Sequence, residues 1–199
     1  MWWSDRICQP PQEEPVDLSE AKDHIRETGS DQDAVIESLI TSAREWCEGF
    51  QQRAYVTQTR RLTLDRWPRG RTIYLPRPPL QSVERIVYTD ADGTQYEVDA
   101  NDYIVDTAAE PGRIVLARGV WWPSGGLRPA AGVEVVYVAG YGDADAVPKK
   151  AKQAILLLVG HWYEQREAVS AGSISKEIEF AVHSLLWQDR VFYGSPEVS

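Results

Sequence analysis

The hydrophobic period of this chain changes twice, and that fixes most of what it can fold into. From Val16 to Phe50 apolar residues recur at three and four residue spacing, from Thr57 they alternate, and from Val147 the longer spacing returns. A period near 3.6 lets a helix bury one stripe, whereas a period of two lets a strand bury one face. Helices at both ends with strands between them predict an α+β chain: a helical bundle formed by the N- and C-terminal helices, with an inserted small antiparallel β-sheet lobe. The expected organisation is a flexible N-terminal arm over 1–16, bundle segments over 17–56 and 147–190, a β lobe over 57–146 and a C-terminal tail over 191–199.

Local chemistry sharpens these boundaries. In "VDLSEAKDHIRETG" either Asp17 or Ser19 can cap a helix with Leu18, Ala21 and Ile25 on its stripe, and Gly29 stops it. Ser30 and Asp31 are placed to cap the next helix, whose stripe runs Val35, Ile36, Leu39, Ile40, Ala43, Trp46, Cys47, Phe50. Between them and the C-terminal helices, "TQTRRLTLDRW", "RTIYL", "SVERIVYTDADGTQYEVD", "YIVD", "GRIVLA" and "VEVVYVAGYG" read as six or seven strands, with a hairpin turn at DADG. Pro148 suits the first turn of the third helix, and Ile178, Val182, Leu185 and Leu186 define one face of a fourth.

The third helix raises the question of chemistry. Residues 155–159 are ILLLV, and "HWYE" follows at once. His161 and Glu164, three residues apart, share the spacing of a carboxylate-oriented histidine, which leaves a hydrolase as one reading. There is no HExxH and no GxSxG, and packing explains every residue of HWYE, so no catalytic residue is assigned. The three histidines, His24, His161 and His183, lie on different helices without partners at ligand spacing, so no metal and no cofactor is expected. "AGYGDADAVP" lacks the last glycine and the Lys-Ser/Thr pair of a phosphate loop and reads as a turn and helix cap. Cys8 and Cys47 form no disulfide framework, which suits a reducing compartment.

Charge argues against a simple nucleic-acid binder. The net charge is −9, with 12 acidic and 5 basic residues in 1–56 alone. Arg60, Arg61, Arg66, Arg69, Arg71 and Arg77, with Trp67 and Tyr74 among them, are the one basic and aromatic concentration, and a DNA-binding module using the arginine-rich strands at 60–77 is the alternative reading. Alternation along strands places these arginines on a solvent or subunit-contact face. No run is apolar and long enough for a membrane span, and the N-terminus lacks a signal-peptide core, so neither membrane nor secretion is expected.

The strings "VDLSEAKDHIR", "TQTRRLTLDRWPRGRTIYLPRPPLQSVERIVYTDADG", "DYIVD", "PGRIV" and "VEVVYVAGYGDADAVPKKAKQAILLLVGHWYEQREAV", in that order from about Val16 to about Val169, resemble the head-tail connector (adaptor) proteins of tailed bacteriophages and gene transfer agents. That resemblance implies a non-enzymatic structural virion protein, assembled in the host cytoplasm and placed at the portal vertex. It implies a homo-oligomeric ring, typically of twelve subunits, that docks on the portal protein and extends the DNA channel without specific DNA binding. The ring presents a platform for the next neck or tail completion protein. It also implies that a C-terminal segment engages the portal, which here falls on Leu185, Leu186, Trp187, Val191, Phe192 and Tyr193.

Other contact candidates come from the residues themselves. A helix apolar on all sides needs cover, so Leu156, Leu157, His161, Trp162 and Tyr163 are subunit-interface or packing candidates. Eight tryptophans exceed what a small core needs. Trp2 and Trp3 on the arm either meet a partner or fold back on the chain, and Trp121 and Trp122 in "GVWWPSGG" form either a partner contact or a local cluster.

Overall fold

A computed structural model of the chain describes residues 2–165 and 176–192. These divide into two compact units, a helical one of residues 13–56, 142–165 and 176–190, and a sheet one of residues 2–12, 57–141 and 191–192. The fold is mixed α+β, as the change of period requires.

The helical unit contains α1 (Leu18–Ile25), α2 (Asp33–Gln51), α3 (Lys149–Glu164) and α4 (Lys176–Leu186). Asp17 caps α1 in a full capping box: its side chain accepts from the Glu20 N–H and the Glu20 carboxylate accepts from the Asp17 N–H. The cap expected on α2 is corrected. Gln32 occupies that position with no side-chain hydrogen bond, and the first helical residue, Asp33, instead pairs with Lys22 of α1 at 2.6 Å. α3 begins after Pro148, whose carbonyl accepts from the Ala151 N–H. Its buried face is Ala151, Ala154, Ile155, Leu158 and Val159, against α1, α2 and α4. Burial of α3 on every side does not occur within one chain, because Leu156 and Leu157 are only half-buried.

The sheet unit holds two antiparallel sheets where one was expected. The larger has strand order β1-β2-β8-β4-β5, from β1 (Trp3–Gln9), β2 (Gln58–Leu64), β4 (Leu80–Thr89), β5 (Gln95–Glu97) and β8 (Val133–Ala139). The smaller is β3-β7-β6, from β3 (Thr72–Tyr74), β6 (Tyr103–Asp106) and β7 (Arg113–Leu116). Alternation sends Leu62, Leu64, Ile86, Val133, Val135 and Tyr137 inward from the first, and Ile73, Ile114 and Leu116 from the second. The DADG turn joins β4 to β5 with Gly93 at φ 88° and the Asp90 side chain accepting from the N–H groups of Asp92 and Thr94.

The flexible arm is the principal correction to the expected fold. Residues 3–9 form an edge strand paired with β2, Trp3 opposite Leu64 and Asp5 opposite Leu62. Composition missed it because the strand is held by charge as well as by apolar area. Asp5 is 6% exposed at its side chain and receives the buried Arg60 guanidinium, Nη2 at 2.5 Å and Nε at 3.1 Å from each oxygen.

Candidate functional site

The site residues proposed from sequence fall on two surfaces, one in each unit, and on the core between elements. In the helical unit, α2 ends with Gln51, Gln52 in a left-handed conformation and Arg53. Gln51 Nε2 donates to the Leu186 carbonyl at 2.8 Å, and Arg53 Nε donates to the Asp189 carbonyl at 2.6 Å. Lys150 of α3 pairs with the Asp189 carboxylate. Three side chains thus fix the backbone that follows α4, where Leu186 is fully buried as the plug.

What this backbone displays is a stack of rings. Phe50 lies 5.6 Å from Trp46 with the planes 2° apart, and His183 stacks on Phe50 at 4.4 Å. Trp187 closes the group 6.5 Å from Phe50, and Arg190 caps both rings, its guanidinium carbon 4.7 Å from Phe50 and 5.6 Å from Trp187. Trp187 is 55% exposed. The sequence reading placed Trp46 and Phe50 on a core stripe and left His183 and Arg190 without a role; the signal available was the i, i+4 repeat of 46 and 50 facing that of 183 and 187.

The portal-contact set is therefore split. Leu186 and Val191 are buried within the chain. Trp187 and Phe192 are exposed, Leu185 is half-buried, and Tyr193 lies outside the described residues.

The residues of HWYE differ in burial, with only His161 fully in the core. His161 is buried, whereas Glu164 is exposed. Trp162 is half-buried with its Nε1 sealed from solvent and without a hydrogen-bond partner among the described residues. The Tyr163 hydroxyl donates to Glu27 Oε2 at 2.7 Å, tying α3 to the residues after α1. That bond, with a second from the Gly29 N–H, holds the Glu27 carboxyl below its ordinary value. Burial pushes the Cys47 thiol up, with the Glu48 charge adding to it, so it is no nucleophile. Among the described residues no group of three His, Cys, Asp or Glu side chains is placed to hold a metal ion, and no helix is long and apolar enough to cross a membrane.

In the sheet unit the arginines do not make one face. Arg60 and Arg61 are adjacent on β2, so alternation sends Arg60 inward beside Leu62 and leaves Arg61 outside, 3.5 Å from Glu134. Arg77 Nε is 3.8 Å from Asp5, and Arg71 Nη2 donates to the Leu116 carbonyl at 3.1 Å and the Ala117 carbonyl at 2.5 Å. Arg66 and Arg69 alone of the six are both exposed and without an ion pair among the described residues. A solvent face across 60–77 is thereby corrected, and with it the continuous phosphate track that the DNA-binding alternative needs.

The tryptophan candidates also separate. Trp122 stacks on Trp67 at 4.6 Å, 6° from parallel, and donates from Nε1 to the Gly70 carbonyl at 2.9 Å, so it is a local anchor. Trp121 is 77% exposed with the Arg71 guanidinium carbon 5.8 Å from its ring. Trp3 is half-buried in β1, and Trp2 is 60% exposed at the start of that strand.

Comparison with known proteins places this fold. The family model described as "Head completion protein" matches residues 16–181. No curated protein matches the chain. Among solved structures, a chain in the virion of a native gene transfer agent particle is similar at 25% identity with a TM-score of 0.76, covering 96% of each chain. A chain in the neck of an empty gene transfer agent particle, computed with C6 symmetry, is similar at 28% identity and TM-score 0.73, covering 98% of this chain and 97% of that one. A chain in the neck of the native particle, computed with C12 symmetry, gives 27% identity and TM-score 0.72 over the same shares.

Proposed function

The chain belongs to the head completion protein family, and from that membership we propose that it is a structural protein of the head-tail connector, built into the neck of a virion or gene transfer agent particle as a ring. The observation that carries this reading is the agreement of family match and fold: neck chains cover nearly all of this one, both units included. The C6 and C12 symmetry of those necks supports a ring of repeated subunits. A non-enzymatic role is part of this proposal, and its support is the family match and the neck chains of similar fold.

Two finer assignments rest on the surfaces. The ring stack of Trp46, Phe50, His183 and Trp187, capped by Arg190, is the surface we assign to the portal protein, with Phe192 beside it in sequence. Exposed Trp backed by Arg is the composition of an interface anchor. The half-buried Leu156, Leu157 and Trp162 of α3 are assigned to the seam between subunits, where a helix only partly covered by its own chain gains the rest of its cover. The platform for the next neck or tail component is the remaining face of the ring.

Imaging of the portal vertex in purified particles tests the reading. The expected density is a ring of this fold between head and tail, and particles made without the chain should be DNA-filled heads that fail to hold a tail. Complete tailed particles made without it would sink the proposal.

A further inference from the structure

The segments 65–71 and 117–128 carry five arginines, Arg66, Arg69, Arg71, Arg118 and Arg128, against a single acid, Asp65. The fold brings them to one end of the sheet unit: Arg71 bonds the carbonyls of Leu116 and Ala117, Trp122 bonds the Gly70 carbonyl, and Trp67 stacks on Trp122. The lone acid is engaged, with Asp65 Oδ1 accepting from the Ala131 N–H. Trp121 stands at this end as a mostly exposed ring that Arg71 steadies. Arg66, Arg69 and Arg118 are exposed on the same two segments, with no ion pair among the described residues.

The helical unit has the opposite character. Its described residues carry 17 acids and 9 bases, and Asp23, Asp31 and Glu37 are exposed on α1, α2 and the turn between them. Copies of a chain with net charge −9 repel one another unless opposite patches meet at the seam. A ring also closes by heterologous contacts, so the two patches that meet must be different ones. A phosphate ligand is disfavoured here because Arg71 and Arg128 are spent on carbonyls, Arg128 on that of Ala131, which leaves three free guanidiniums on an acidic chain.

Resting on the ring proposed above, we propose that the Trp121 knob and its arginine rim dock on the acidic α1–α2 face of the neighbouring copy. The knob supplies the buried aromatic anchor and the rim supplies register.

Trp121 replaced by a photo-crosslinking benzoylphenylalanine, in particles assembled in the producing cell, tests this directly. The expected product is a dimer of this chain joined between position 121 and a peptide within residues 18–51. Crosslinks only to another particle protein or to DNA, or none in particles that contain the chain, overturn the inference and leave the neck reading standing. Absence of the chain from the particles overturns both. A second measurement uses charge: R66E/R69E/R118E, checked for an unchanged melting curve, should lower incorporation into particles by roughly tenfold or more. Adding D23K/D31K/E37K to the same chain should restore it, and failure of that restoration counts against the seam.

Discussion

Each unit holds a buried guanidinium neutralised by an acid from the N-terminal stretch, Arg44 in the helical unit and Arg60 in the sheet unit, yet the two sites are built differently. In the helical unit Arg44 is 4% exposed and donates to Glu14 at 2.7 Å, and to Glu48, one turn along α2, at 2.9 Å; Glu45 lies 3.7 Å away. Burial opposes its charge, but these carboxylates outweigh it and hold the group above its ordinary value. In the sheet unit Arg60 is 7% exposed at its side chain and pairs with Asp5, with the Gln58 side-chain oxygen at 2.7 Å as a neutral partner. Asp5 is at the same time shared with Arg77 and lies 2.9 Å from the Tyr137 hydroxyl. One site draws on several acids of its own helix and the N-terminal stretch, and the other leans on the Asp5 carboxylate of an edge strand. A terminal strand can therefore matter as much as a core one.

The largest way to break the comparison is Asp5→Ala. It strands a buried cation and loosens β1, and removal of one partner from a buried pair costs about 3–5 kcal/mol. Equilibrium urea unfolding should show a loss of that size, with protection from hydrogen exchange lost first in residues 3–9. Replacing both partners, Asp5→Leu with Arg60→Met, should recover most of it, because a well-packed apolar pair is often neutral relative to a buried ion pair. Glu14→Ala comes second. Glu48 still neutralises Arg44, so the loss is one charge-assisted hydrogen bond, about 1.5–3 kcal/mol. Equal losses for Asp5→Ala and Glu14→Ala would refute the contrast.

This contrast also explains what could be read without coordinates. The helices, the capping box at Asp17 and Glu20, the DADG hairpin and the inserted strands all follow from local spacing, and local spacing is visible in a sequence. β1 was not, because "WSDRICQ" beside "QPPQEEP" has the composition of a loose arm, and its strand character comes from a partner some fifty residues away. Arg60 was half visible: two adjacent arginines on an alternating strand must face opposite ways, so they cannot share a solvent face. The ring stack was hidden for the same reason as β1, since Phe50 meets His183 and Trp187 only after the chain has passed through the whole sheet unit.

A smaller effect probes redundancy in the helical unit again. Glu27 is held ionised first by the Tyr163 hydroxyl and then by the Gly29 N–H. A carboxyl lowered in the folded state contributes stability above its unfolded value and loses it as pH falls through the folded one. Tyr163→Phe should therefore lower stability at neutral pH by a small amount that vanishes as the carboxyl protonates, which flattens the acid limb of a stability-versus-pH curve in part, because the Gly29 donor remains. An unchanged acid limb would show that the hydroxyl contributes nothing to holding the charge.

Trp121→Ala should be the smallest change in stability and the largest in assembly. The ring is 77% exposed, and the Arg71 guanidinium beside it keeps its bonds to the Leu116 and Ala117 carbonyls when the ring is gone. A substitution of that kind shifts unfolding free energy by about 0.5 kcal/mol or less. Trp122→Ala makes the matched control, since it removes the stack on Trp67 and the bond to Gly70 and should destabilise by about 3 kcal/mol or less. If Trp121 is an anchor for another surface, its loss leaves the monomer's melting curve in place while incorporation into particles falls. If the two variants melt alike and incorporate alike, adjacent tryptophans that look different in exposure do the same work, and the separation drawn between knob and anchor is wrong.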